Sequence, residues 1–105
     1  MNQVCISGKV SGEIESNLER NTPTTTFTLK NLYYSTKTNV ISTSYIRCIA
    51  YGALADYCYN ELYEGADILV TGRVMNRTYV CNNTKIDRLY IGCNTVTKLT
   101  QEEYA

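Results

Sequence analysis

The chain has no histidine and no tryptophan, one proline and one phenylalanine. Without histidine it lacks the commonest general base near neutral pH and the usual companion of cysteine in zinc sites. The five cysteines (Cys5, Cys48, Cys58, Cys81 and Cys93) show no C-x-x-C spacing. They read as buried, reduced thiols acting as small hydrophobes, so neither a metal nor a disulfide framework is expected. The six glycines are scattered and build no phosphate-cradling loop. Cys81 lies near Lys85, but no orienting base accompanies it, so no catalytic residue is assigned and no cofactor is expected. No apolar run approaches the ~20 residues of a membrane span. Met1-Asn2-Gln3-Val4 has neither the basic start nor the apolar stretch of a secretory signal, so a cytoplasmic location is expected. Asn76-Arg77-Thr78 and Asn82-Asn83-Thr84 match the glycosylation sequon and, with no such signal, are read as chance matches.

Net charge is also absent: ten basic residues balance ten acidic ones. Zero net charge argues against nucleic acid when taken alone, but the charges are segregated along the chain. Residues 20–55 hold Arg20, Lys30, Lys37 and Arg47 with no acid, and residues 68–98 hold five cations against Asp87. The acids gather at Glu13, Glu15 and Glu19, at Asp56, Glu61, Glu64 and Asp67, and at Glu102 and Glu103. Such segregation gives a local positive surface on a neutral molecule. Ten of the eleven aromatic residues are tyrosine. A buried phenol needs a hydrogen-bond partner, so this excess points to half-exposed rings rather than to a pure core.

A chain of 105 residues is one domain with a modest core. Residues 3–10 alternate as a first strand that bends near Gly8 and Gly12, and residues 16–23 are turn-rich, closed by Pro23. A β-branched run over residues 24–32 places Phe27 and Leu29 inward and Thr28, Lys30 and Tyr34 outward. Residues 35–39 read as a hairpin loop, and residues 40–51 as the third strand. Residues 52–64 form the one helix, with Leu54, Tyr57 or Cys58, and Leu62 at helical spacing and Gly65 suited to end it. Residues 68–80 and 86–98 pair as a long hairpin through Cys81-Asn82-Asn83-Thr84. Three strands, a helix and two strands suit an all-β five-stranded Greek-key OB-fold barrel, with the helix between strands 3 and 4 and a protruding strand 4–5 hairpin. An α+β sandwich has the same element order. The domain spans residues 1–99, and residues 100–105 form a short polar tail expected to fray.

The third strand has two unlike faces. Alternation puts Ile46, Cys48 and Ala50 on a small apolar side and Tyr45, Arg47, Ile49 and Tyr51 on the other. Two rings and a guanidinium on one surface are what a protein needs to stack bases and neutralise phosphates on a single nucleic-acid strand.

Four segments resemble the bacterial single-stranded-DNA-binding proteins over residues 1–99. They are Asn2 to Val10, Phe27-Thr28-Leu29, the run Tyr45-Ile46-Arg47-Cys48-Ile49-Ala50-Tyr51-Gly52-Ala53-Leu54-Ala55, and Gly65 through Thr71-Gly72-Arg73-Val74 to Arg77-Thr78-Tyr79. The resemblance implies sequence-tolerant binding of single-stranded DNA in replication, repair or recombination. Tyr45, Tyr51 and Tyr79 match stacking positions, and Tyr34 (or Tyr33) approximates a fourth. Arg47, Arg73 and Arg77, with Lys30 and Lys85, are expected along the phosphate track. The resemblance also implies a homo-oligomer, dimer or tetramer, with first strands at the interface. The sequence departs from the family pattern in having no tryptophan, in Ala53 where the family has lysine, and in lacking a long acidic-tipped tail for recruiting other proteins. The alternative is an OB-fold protein-interaction or primosome-assembly module, with the tyrosines buried against protein.

Overall fold

The computed structural model describes residues 1–17 and 21–99. The expected frayed tail, and Arg20 with part of the turn-rich segment, lie outside the described residues. The elements are β1 (Val4–Asn17), β2 (Thr24–Ser35), β3 (Val40–Tyr51), α1 (Ala53–Glu61), β4 (Asp67–Cys81) and β5 (Thr84–Lys98). The strands close into a barrel in the order β1-β2-β3-β5-β4. This is the expected OB-fold topology with the helix between β3 and β4, and it replaces the sandwich alternative.

Period-two alternation sorts the side chains. Phe27, Leu29, Cys48, Ala50, Ile68, Val70 and Ile91 point inward and are buried in one core, as expected of Phe27 and Leu29. α1 covers one end of the core with Ala55 and Cys58, and Leu62 follows at its C-cap. Thr25, the one buried polar residue among those described, donates its hydroxyl to the Ala55 carbonyl at 2.7 Å and so ties the helix to β2. Tyr57, one of the expected anchors, is exposed, because burial of Ala55 and Cys58 turns it outward. The helix ends at the extended Leu62, before Gly65, which has φ 92° in the turn that follows.

β1 is longer than its alternation indicates. It runs to Asn17 through an irregularity between Ser11 and Glu15, where Gly12 adopts φ 79°. The turn expected over residues 16–23 therefore starts later. The bulge lets one strand serve two partners, β4 from Val4 to Lys9 and β2 from Lys9 to Asn17. At the β4–β5 tip, Asn82 and Asn83 have φ 52° and 63°. This two-residue left-handed turn matches the twist of the flanking strands and fixes their register, Cys81 opposite Thr84.

Backbone approaches are closest at the β4–β5 bulge. A methyl group at Gly72 would collide with the carbonyl oxygen of Gly92 on the neighbouring strand. Gly72→Ala is expected to destabilise the protein by at least ~2 kcal/mol, as overpacking against rigid backbone does. Urea unfolding measures this, and an unchanged midpoint would contradict the packing described.

Candidate nucleic-acid interface

The outward face begins on the β2–β3 hairpin. Register pairs Tyr51 with Thr24, Ile49 with Thr26, Arg47 with Thr28, Tyr45 with Lys30 and Ile41 with Tyr34. Directly opposite residues of an antiparallel pair share a face, so Tyr51, Arg47, Tyr45, Lys30 and Tyr34 lie on one side of the sheet. Tyr45 is 63% exposed and Tyr51 42%. The Arg47 guanidinium donates to Thr28 Oγ1 at 2.9 Å, which fixes it on the sheet between the two rings. Tyr34 stands at the hairpin end, its hydroxyl hydrogen-bonded to Asn39 Oδ1.

Ile49 shares this face but is only 1% exposed. Its partner across the barrel seam is Gly92, and the Met75 side chain lies against the space a Gly92 side chain would fill. The surface between Arg47 and Tyr51 is therefore a covered apolar step, where alternation alone had left Ile49 facing water.

The seam carries the face onto the second hairpin. Ile49 pairs with Gly92, and Gly92 in turn with Arg73. Along the β4–β5 ribbon the same side presents Met75 opposite Tyr90, Arg77 opposite Arg88 and Tyr79 opposite Ile86. Below the seam β3 and β5 separate, and an open cleft of about 650 Å³ brings Tyr45 and Arg47 together with Arg88 and Tyr90 over apolar side chains such as Ile6, Ile46 and Val74. Arg77 lies over the Tyr90 ring at 5.6 Å from its centroid, and Arg88 over Tyr79 at 6.0 Å. At exposed sites such contacts are worth about 0.5–1 kcal/mol each, and they hold long side chains in place.

Eight of the nine expected site residues thus lie on the outward face of the two hairpins. Lys85 does not. It is the partner of Val80, on the ribbon side shared with Thr78 and Asp87. Arg88 and Tyr90 were not among the expected residues, and the signal for them was available. A two-residue Asn82-Asn83 turn sets every cross-strand pair of the ribbon, and it puts Arg88 opposite Arg77.

The hairpin cations of this face have no acidic partners among the described residues. Among the described residues the ion pairs are Lys9 with Asp67 and Lys98 with Glu61. Arg47, Arg73, Arg77, Arg88 and Lys30 enter none, so their charge is available to an anion. No group of His, Cys, Asp and Glu that could hold a metal occurs among the described residues.

A barrel of this topology with exposed rings and cations on one face has the features of OB-fold proteins that bind single-stranded nucleic acid. Residues 1–99 match the single-strand binding protein family, and the chain belongs to it. Binding of single-stranded DNA is its class of function. No curated protein sequence matches the chain. Solved structures share its fold, among them two single-stranded-DNA-binding proteins. A Plasmodium falciparum SSB in complex with ssDNA superposes with a TM-score of 0.82 at 20% identity, over 95% of this chain and 96% of the other. A small single-stranded DNA-binding protein from Streptomyces coelicolor gives 0.68 at 21% identity, over 91% and 92%.

The thiols divide by burial. Cys5 and Cys81 are exposed, contrary to the expectation of five buried thiols, because Cys5 alternates outward on β1 and Cys81 sits at the ribbon tip. Burial pushes the Cys58 thiol up to about 12. The hydrogen bond with Cys93, and then burial, push Cys48 up as well. A raised pKa keeps a thiol protonated and unreactive. At pH 8 a thiol reagent is expected to modify Cys5 and Cys81 in the native protein, and Cys48 and Cys58 only on unfolding. Mass spectrometry of the labelled peptides checks this, and equal labelling of all four would contradict it.

Proposed function

We propose that a single strand of DNA lies across the outward face of β2–β3 and β4–β5. Bases stack on Tyr45, Tyr51 and Tyr79, with Tyr34 at the edge, while Arg47, Arg73, Arg77 and Lys30 contact phosphates. The observation that supports this reading is a continuous face on which exposed tyrosines alternate with hairpin cations that no carboxylate among the described residues neutralises. The Plasmodium structure of the same fold is a complex with ssDNA. The protein acts by binding rather than by catalysis, with little sequence preference, since every base has a stackable face. Its setting is the cytoplasm, in DNA replication, repair or recombination, as a homo-oligomer (dimer or tetramer).

Titration of tyrosine fluorescence with a dT oligomer tests the reading. Saturable quenching is expected, with affinity falling as salt rises by a slope of ~0.7 per phosphate neutralised. Tyr45→Ala is expected to fold normally and weaken binding by ~1–3 kcal/mol, the value of one stacked base. A folded wild-type protein that gives no quenching would overturn the proposal in favour of a protein-interaction module.

A further inference from the structure

Arg77 and Arg88 stand directly opposite each other in the β4–β5 ribbon. Like charges in that position repel. Neither guanidinium donates a hydrogen bond or pairs with a carboxylate among the described residues. The acid nearest in sequence, Asp87, accepts from the Thr78 hydroxyl on the other side of the ribbon. Each guanidinium instead lies over the ring diagonal to it, Arg77 over Tyr90 and Arg88 over Tyr79. A ring face attracts the cation but accepts no conventional hydrogen bond, so the planar N–H forks remain open to a third partner. Two positive forks held in register, side by side and without an anion, form an incomplete arrangement that one anion between them would complete.

We propose that Arg77 and Arg88, backed by Tyr90 and Tyr79, form a clamp for one phosphodiester of the bound strand. A phosphodiester carries a single negative charge on two non-bridging oxygens, so each fork takes one oxygen and the repulsion between the arginines is relieved. The clamp lies beside the Tyr45–Arg47 cleft, which Arg88 and Tyr90 also line. It therefore fixes where the backbone crosses from the β2–β3 hairpin to the ribbon. Tyr79 carries Arg88 on one ring face and receives a base on the other. The clamp rests on the proposed path of the DNA and adds one claim to it: two arginines share one phosphate.

The test is a set of dT-oligomer titrations over a range of salt concentrations, with the wild type, Arg77→Gln, Arg88→Gln and the double variant. Thermal melting verifies that each is folded. Each single change is expected to weaken binding roughly tenfold, the value of a lost charge-assisted contact, and to leave the salt slope nearly unchanged, because the remaining arginine still neutralises the phosphate. The double variant is expected to lower the slope by ~0.7, because the one shared phosphate is released only when both arginines are gone. Arg88→Lys should keep the slope and lose affinity, since it keeps the charge but not the fork. Single variants that each lower the slope by ~0.7, with a double variant that lowers it by ~1.4, would mean two separate phosphates and overturn the clamp. So would single variants that bind as the wild type does. In either case wild-type binding leaves the proposed function standing, whereas failure of the wild type to bind overturns both.

Discussion

The contact between β3 and β5 is the constraint on which the structure depends. It joins two hairpins in parallel through two residue pairs, Cys48 with Ile91 and Ile49 with Gly92. The first pair faces inward and seals the core. The second faces outward and makes one surface out of two hairpins. Gly92 permits this in a physical sense, since the absence of a side chain leaves room for Met75 to cover the seam. Beyond these pairs the strands diverge, and the cleft between them is where the aromatic and cationic residues of the two hairpins meet.

Charge is organised on the same plan. The chain is neutral, yet among the described residues its ion pairs, Lys9–Asp67 and Lys98–Glu61, take in none of the arginines of the two hairpins. The acids of α1 and its following turn are occupied differently: Glu61 pairs with Lys98, and Glu64 accepts the Gly12 amide. The cations of the hairpins are oriented by neutral groups, Arg47 by a threonine hydroxyl and Arg77 and Arg88 by tyrosine rings. Orientation by neutral groups leaves the full charge available to a ligand, whereas a carboxylate partner would compete with it. Tyrosine serves both purposes here, as a stacking surface and as a rest for arginine.

Much of this was legible from alternation and turn chemistry. The two-faced pattern of Tyr45 to Tyr51 set that strand's orientation, Phe27 and Leu29 marked the inward side of β2, and the Asn-Asn dipeptide marked the ribbon tip. Alternation reports direction, not cover, so Ile49 pointed outward as expected yet proved buried by a residue far away in sequence. A bulge breaks the period it interrupts, which hid the second half of β1. Lys85 was placed on the phosphate track by charge alone, and the register of its own hairpin turns it to the other side. Arg88 and Tyr90 required that register to be worked out pair by pair from the tip. For α1, only nine residues long, spacing left Tyr57 and Cys58 as alternative anchors, and the fold buries Cys58.

The ten tyrosines provide the most direct probe of the central claim, that DNA lies on the outward face of the two hairpins. The measurement is an NMR comparison of assigned tyrosine ring resonances with and without saturating dT oligomer. Ring-current shifts are expected at Tyr45, Tyr51 and Tyr79, with Tyr57, Tyr59 and Tyr63 of the helical region unchanged. Shifts confined to the helical tyrosines, with the hairpin rings unmoved, would place the DNA elsewhere and contradict it.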